Sequence, residues 1–272
     1  MNLGQAGATD PSTTLRVVPL PILRWGGLLA ALLLLLASCA TPTPREGLGG
    51  SRILVFSHTT GYRHEAIGVA VPALRRLIEE DGGIAITSED PAAFDPGRLD
   101  GISAIVILSA TTDPQRPESE WLVGPRRETL QAFVRRGGGI VGIHAASDSH
   151  YHWPWYGEML GARFQRHPPG TARGRLSIAD AGHPATARLP GTLDHTDEWY
   201  AIRDWRPGSR VLLTLDPASI GEPAGAPWPM SWTREHEGGR IFYTALGHTP
   251  ETYSQTFFLD HLSGGLRWTL RR

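Results

Sequence analysis

Histidine is the reactive residue that recurs where the apolar runs of this chain end. His58 directly follows one apolar run and His64 lies in the same loop, whereas His144 and His248 follow two later runs. Because ligands bind beyond the carboxyl ends of the strands in an open parallel sheet, these side chains are expected at one edge. Each alone is more often a hydrogen-bonded structural residue, but their coincidence favours a shared functional site.

Four imidazoles at one sheet edge suit two kinds of chemistry. Neutral imidazoles are ligands of zinc, so His58, His64, His144 and His248 are the candidate ligands of a divalent metal such as zinc. Their spacing matches no compact metal-binding motif. Without a metal, His144 and His248 are expected to act as base and acid.

Two carboxylates are predicted to complete the catalytic group. Asp148 or Glu198 would orient an imidazole by a hydrogen bond. Each has an alternative interpretation, because Asp148 could cap a helix and Glu198 could pair with an arginine on a strand face. His144 is the central residue of Gly-Ile-His-Ala-Ala, which has the small-residue pattern of a nucleophile elbow.

Aromatic residues beside polar ones predict contacts with a sugar ring. Trp153 and Trp155 follow the elbow in a polar loop, and Trp199 adjoins Glu198. Flat apolar rings suit the C–H faces of a carbohydrate, although buried tryptophans more often close a core. Arg63 is either a substrate contact or a structural ion-pair partner.

The first half of the chain alternates predicted strands and helices. Apolar β-rich runs predict strands at 52–57, 84–87, 104–108 and 140–143, and helical spacing predicts helices at 65–80 and 122–136. This alternation predicts an α/β fold with a doubly wound, mostly parallel sheet. The second half is β-rich, with strands predicted at 175–178, 193–202, 211–215, 230–234 and 240–246 and a closing helix at 251–270.

Five segments resemble the trehalose-utilisation (ThuA-like) family. They are the runs at 61–64, 138–148, 161–168, 197–200 and 239–248, which read GYRH, GGIVGIHAASD, GARFQRHP, DEWY and GRIFYTALGH. The resemblance implies a flavodoxin-like, class I glutamine amidotransferase-like fold and a substrate that is a disaccharide or keto-sugar derivative. The predicted substrate-binding residues are His58, Tyr62, Arg63, His64, Trp153, Trp155 and Trp199.

The elbow departs from the amidotransferase pattern. Amidotransferases of the implied fold carry a cysteine there, followed late in the chain by a histidine and Pro-Glu. This chain keeps His248-Thr-Pro-Glu but has His144 in place of the thiol. The sequence therefore excludes glutamine hydrolysis through a thioester. It leaves open an enzyme, of hydrolase or lyase type, and a non-catalytic glycan-binding domain.

The N-terminus resembles that of a bacterial lipoprotein. An apolar run after two arginines ends in Leu-Ala-Ser-Cys, so residues 1–38 are predicted to be a signal peptide and Cys39 the lipidation site. Residues 39–50 are predicted to be a tether, and residues 51–272 a single domain. With no aspartate after Cys39, the resemblance implies anchorage in the outer membrane, facing the periplasm.

Composition excludes several other functions. The net charge is −1 and the arginines are scattered, so no nucleic-acid partner is expected. The chain has no lysine, which excludes a Walker A lysine and a Schiff base. The glycine run at 137–139 precedes a strand instead of following one, so no nucleotide cofactor is expected.

Overall fold

The computed structural model describes residues 47–272, which form an α/β fold around one large sheet. The helices are α1 (Ile67–Glu80), α2 (Pro125–Arg135), α3 (Pro154–Leu160) and α4 (Thr256–Thr269). The strands are β1 (Arg52–Phe56), β2 (Ile84–Ser88), β3 (Ala104–Leu108), β4 (Gly139–Ile143), β5 (Arg163–Arg166), β6 (Ala172–Ile178), β7 (Thr192–Asp197), β8 (Ala201–Arg203), β9 (Arg210–Asp216), β10 (Trp228–His236) and β11 (Gly239–Thr244).

The nine-stranded sheet has the order β2-β1-β3-β4-β11-β10-β9-β6-β7. The first five strands in this order are parallel, and β10, β9, β6 and β7 continue the sheet in antiparallel fashion. Strands β5 and β8 form a separate antiparallel pair. The apolar run of β3 is buried throughout, as expected of a central parallel strand.

Helices cover both faces of the parallel part. Side chains alternate between the two faces along a strand, so Gly139 and Gly142 of β4 face opposite ways. A side chain at Gly139 would meet Thr269 of α4 at 2.8 Å, whereas one at Gly142 would approach Leu160 of α3 at 3.2 Å. The predicted doubly wound, mostly parallel architecture is therefore confirmed, with an antiparallel extension built by the β-rich half.

The sequence analysis missed two elements and merged two others. Helix α3 and strand β5 lie at 154–166, where no periodicity was recognised. The strand predicted at 193–202 is divided into β7 and β8, which belong to different sheets. The closing helix begins at Thr256, after a 3₁₀ turn at Pro250–Ser254. The break between β7 and β8 matters most, because it carries Glu198.

The folded domain begins before the predicted boundary at residue 51. Leu48 is fully buried, and its N–H donates to the Asp81 carbonyl at 2.7 Å. Residues 47–50, assigned to the tether, are thus part of the fold. The predicted signal peptide, Cys39 and the rest of the tether up to residue 46 lie outside the described residues. Among the described helices, none has the length and apolar character needed to cross a membrane.

Candidate active site

The elbow after β4 holds His144 in a left-handed backbone conformation. Its φ is 51°, and the residues from His144 to Ser147 form a 3₁₀ turn. The imidazole is fully buried, and its Nδ1 lies 2.8 Å from the Ala245 carbonyl. Because a carbonyl only accepts, Nδ1 carries a proton, and Nε2 is the ring nitrogen that faces the other side chains. His144 thus presents a base or ligand atom to its surroundings.

Four side chains converge around Nε2 of His144. This atom lies 3.2 Å from Nδ1 of His248 and 3.5 Å from Oε2 of Glu198, and His248 Nδ1 lies 3.2 Å from the same Glu198 oxygen. The His64 ring centroid is 4.7 Å from that of His144. Donor atoms of His64, His144, Glu198 and His248 all lie within 4.8 Å of one another. We call these residues the His/Glu cluster.

The protonation states of the His/Glu cluster suit a cation. Burial, reinforced by the neighbouring imidazoles, lowers the pKa of His64 to about 3, so this ring is neutral at physiological pH. Burial alone would raise the pKa of Glu198, but contacts with His144 and His248 outweigh it and lower the pKa. The hydrogen bond with Glu198 raises the pKa of His248. The cluster therefore combines a neutral His64 imidazole with an ionised Glu198 carboxylate.

A buried carboxylate, Asp197, connects the two strand ends that carry Glu198 and His248. Its Oδ1 accepts from the backbone N–H groups of both residues at 3.0 Å, and its Oδ2 accepts from the N–H of Gly247 at 2.8 Å. His195 Nε2 lies 3.3 Å from Oδ2 and 3.2 Å from Thr252 Oγ1. Asp197 thus fixes the separation of two members of the cluster without entering the cleft.

The His/Glu cluster lies in a cleft of about 370 Å³ at the carboxyl edge of the parallel strands. The Tyr200 ring stacks on His144 with a centroid distance of 4.4 Å and contacts Phe164 at the same distance. His167 Nδ1 lies 3.1 Å from Oε1 of Glu198. The cleft is lined by Tyr62, His64, Asp148, Phe164, His167, Glu198, Tyr200 and His248.

The two predicted catalytic carboxylates have different surroundings. Glu198 contacts imidazoles, and no arginine lies within ion-pair distance of it among residues 47–272. Asp148 lines the cleft but accepts a hydrogen bond from the Tyr151 hydroxyl, so it does not orient an imidazole. Burial raises the pKa of Asp148. Asp148 therefore faces the cleft with a pKa above the usual value for an aspartate.

Two candidate residues after β1 lie apart from the cluster. His58 packs beside Phe56 and Trp121, with ring centroids 6.2 and 6.0 Å away, and is not a member of the four-donor group. Glu198 takes the place that the sequence analysis gave to His58. Arg63 forms a bidentate pair with Glu89, and both side chains are about half exposed. Of the two interpretations given for Arg63, the structure therefore favours the structural ion-pair partner over the substrate contact.

The three predicted substrate-binding tryptophans do not line the cleft. Trp153 and Trp155 stack on each other with centroids 5.0 Å apart, and Arg127 covers the Trp153 ring. Trp199 is 1% exposed, and its Nε1 donates to the Ala172 carbonyl at 2.8 Å. These rings close the core.

Sequence analysis did not select Phe164, His167 and Tyr200, although all three line the cleft. Phe164 and His167 come from the unrecognised β5 and the loop after it. Tyr200 had a usable signal, since residues two apart share a side in an extended segment. Glu198 and Tyr200 are so related, whereas Trp199 must point the opposite way.

Comparison with known proteins agrees with this architecture. The family model described as ThuA, trehalose utilisation, matches residues 52–269. A ThuA-like protein from Bacteroides uniformis is 22% identical, with a TM-score of 0.67 over 80% of this chain and 91% of its own. Another from Parabacteroides merdae is 21% identical, with a TM-score of 0.63 over 81% and 90%.

A more distant structure shows the wider fold. A glutamine amidotransferase from Thermotoga maritima is 11% identical, with a TM-score of 0.54 over 82% of this chain and 99% of its own. No curated protein matches the chain in sequence. The family match spans nearly all of the described domain and includes every residue of the His/Glu cluster, so the chain belongs to the ThuA (trehalose utilisation) family.

Proposed function

We propose that the His/Glu cluster binds a divalent metal such as zinc and that the protein is a metal-assisted carbohydrate-processing enzyme. The observation that carries this proposal is the convergence of three imidazoles and one carboxylate within 4.8 Å. Two details support the fit. His64 Nδ1 is buried with no hydrogen-bond partner among the described residues, and the His144 ring is held by a backbone carbonyl, as is usual for metal-ligating histidines.

The cleft supports a sugar-sized substrate. Its volume of about 370 Å³ lies within the usual range for small-molecule sites. Exposed Tyr62 and the Phe164 and Tyr200 rings offer flat apolar surfaces, and His167 and Asp148 supply polar groups between them. Together with the family description of trehalose utilisation, these features favour a disaccharide or its keto derivative.

Two roles in this chemistry fall to named residues, metal binding to the His/Glu cluster and proton donation to Asp148. A metal held by His64, His144, Glu198 and His248 would act as a Lewis acid toward a carbonyl or hydroxyl oxygen of the sugar. Asp148, whose buried carboxyl retains its proton more readily than an exposed one, would donate a proton to the departing oxygen. Such a division of roles suits a hydrolase or a lyase.

The proposed setting is the cell envelope. Acylation of Cys39 would anchor the domain in the outer membrane, facing the periplasm. Cys39 is the only cysteine of the chain and precedes the folded domain, whereas His144 occupies the elbow. The proposed activity is therefore not that of a glutamine amidotransferase.

The test combines metal analysis with turnover. Protein purified without chelators is analysed for bound metal and assayed against disaccharides and their 3-keto forms, with and without zinc. His144→Ala is expected to abolish both stoichiometric metal and turnover, whereas the control His152→Ala, which changes a partly exposed histidine outside the cluster, should retain both. Turnover that survives His144→Ala would contradict the proposal. Sugar binding without turnover under every metal condition would favour a non-catalytic glycan-binding domain.

A further inference from the structure

A basic groove lies at the edge of the sheet opposite the cleft. Arg136, Arg271 and Arg272 line it together with Ser51 and residues 102–103, which immediately precede β1 and β3. The parallel strands run from this edge to the cleft, and five residues of strand span about 17 Å. The groove and the His/Glu cluster therefore face opposite ends of the molecule.

The charge at this edge is not neutralised by ion pairs. Arg52, at the start of β1, and Arg98, in the turns before β3, are also exposed at this edge. Among residues 47–272, none of these arginines has a carboxylate within 4.0 Å, although Glu80 at the end of α1 and Asp100 in the turn that holds Arg98 are exposed at the same edge and offset part of the charge. We call the five arginines the basic rim: Arg52, Arg98, Arg136, Arg271 and Arg272.

The chain enters the fold at this same edge. Leu48 and Gly50 donate their N–H groups to the carbonyls of Asp81 and Gly82, directly after α1. Residues 40–46 are all that separates Cys39 from the described fold. Seven residues reach at most roughly 25 Å when fully extended. A lipid on Cys39 would therefore hold the edge that carries the basic rim close to the bilayer.

We propose that the basic rim docks on anionic phospholipid headgroups of the membrane in which Cys39 is anchored, so that the cleft faces away from the bilayer. This inference rests on the envelope anchoring proposed above and is independent of metal binding. An arginine is attracted to an anionic membrane surface within a Debye length of about 8 Å. The short tether would keep the basic rim near the bilayer, and its arginines would be attracted once they come within this distance of the headgroups.

The test uses the full acylated chain reconstituted into vesicles of phosphatidylcholine, with or without phosphatidylglycerol. Since the thiol of Cys39 is consumed by the lipid, an introduced cysteine takes a polar fluorophore uniquely. Ala132→Cys places the fluorophore near the basic rim, beside Arg136, and Glu65→Cys places it near the cleft. Lipids with spin-labelled headgroups are expected to quench the rim fluorophore about threefold more than the cleft fluorophore in anionic vesicles.

The charge dependence is tested with matched triple variants. Arg136→Gln, Arg271→Gln and Arg272→Gln together should reduce quenching of the rim fluorophore to the level seen in neutral vesicles. The control removes the same charge from exposed arginines away from the groove: Arg116→Gln, Arg173→Gln and Arg203→Gln. In the control variant, the rim fluorophore should be quenched as strongly as in the unsubstituted chain. High salt should abolish the difference in quenching between the two triple variants.

The outcomes separate the two proposals. Equal quenching of the rim fluorophore and the cleft fluorophore in acylated, vesicle-bound chains would overturn the proposed docking of the basic rim. The proposed lipid anchor would remain. The same holds if both triple variants behave alike. A chain that mass spectrometry shows to be unacylated on Cys39 and that stays off both kinds of vesicle would overturn the anchor and the rim together.

Discussion

At the scale of single residues, the substitution that matters most is an imidazole at the elbow. A thiol at this position would be a nucleophile, but the His144 ring is buried and held at Nδ1 by a backbone carbonyl. Its Nε2 meets the side chains of Glu198 and His248 instead of open solvent. The elbow therefore presents an imidazole nitrogen where a cysteine would present a nucleophilic thiol.

Asp197 is expected to tune metal binding without being a ligand. Asp197→Asn keeps one acceptor but turns an amide N–H₂ toward backbone N–H donors, so the spacing of Glu198 and His248 should change. We expect metal affinity to fall roughly 10- to 100-fold, as for other outer-shell partners of ligands. A competitive chelator titration of the folded variant measures this loss.

The matched control for that experiment is Asp194→Asn, on the same strand. Asp194 is exposed to solvent, pairs with Arg173 and is not a member of the His/Glu cluster. The Asp194→Asn variant should bind metal with the same affinity as the unsubstituted protein. Unchanged affinity in a folded Asp197→Asn variant would show that the buried carboxylate serves the fold alone.

His150 is expected to make stability depend on pH. Burial lowers its pKa well below 6.5, and its Nε2 accepts from the Leu122 N–H at 3.1 Å, so the folded state holds this ring neutral. The unfolded chain binds the proton more readily. Its contribution to stability is therefore complete above pH 6.5 and is lost as pH falls from 6.5 toward the folded-state pKa, by up to about 1.4 kcal/mol per pH unit.

The measurement is denaturant unfolding of metal-free protein between pH 7.5 and pH 5. His150→Gln retains an acceptor for Leu122 but has no proton to gain, so its stability should fall less steeply with pH than that of the unsubstituted protein. The other buried histidines contribute equally to both proteins. Parallel curves for the two proteins would rule out His150 as a contributor.

At the scale of elements, the apolar strands could be predicted from sequence and the short polar ones could not. The buried runs of β3 and β4 have one dominant interpretation, because strands covered on both faces are continuously apolar. Strand β5 alternates too briefly, and α3 is only seven residues long. Their positions depend on tertiary contacts, such as the hydrogen bonds from Arg163 to the Ser149 and His150 carbonyls.

The same limit explains which site residues were recognised. His64, His144 and His248 follow predicted strands, and the fold rule that places strand ends together sufficed to associate them. Glu198 lies within the strand predicted at 193–202 and was expected only to orient an imidazole. His58 also follows a strand, but in a loop the side chain can turn to either side, and here it packs toward Trp121. The metal-ligand set therefore needed the structure for one of its four members.

Helix α4 packs so closely that one added methyl group should be costly. A Cβ at Gly264 would lie 2.2 Å from the Pro184 carbonyl oxygen, which is backbone and cannot rotate away. We expect Gly264→Ala to lower the free energy of unfolding by about 1–3 kcal/mol. Gly68→Ala on α1, where a Cβ meets nothing within 4 Å, should instead stabilise by up to about 1 kcal/mol. Equal effects of the two substitutions in denaturant unfolding would refute this account of the packing.

At the scale of the whole molecule, one sheet separates the cleft from the basic rim. The carboxyl ends of the parallel strands carry the cleft, and the amino ends carry the chain entry and the basic rim. The antiparallel extension reaches the cleft through Glu198, which directly follows β7. The site is thus completed by both halves of the chain, which is why neither half could show it alone in sequence.

Metal binding to the cluster should therefore stabilise the whole domain. A metal that binds only the folded state at 100 times its Kd adds about 2.7 kcal/mol, which raises the Tm of a domain of this size by roughly 5–10 °C. Glu198→Gln removes the anionic ligand and should abolish most of this increment in a thermal melt with zinc. The exposed control Glu235→Gln on β10 should keep this increment.

The increment is also expected to depend on pH. Because the pKa of His248 is raised by Glu198, protons compete with the metal, so the increment should shrink as pH falls from 7.5 to 5.5. An increment that is equal in both variants, or that grows on acidification, would place the metal elsewhere than in the His/Glu cluster.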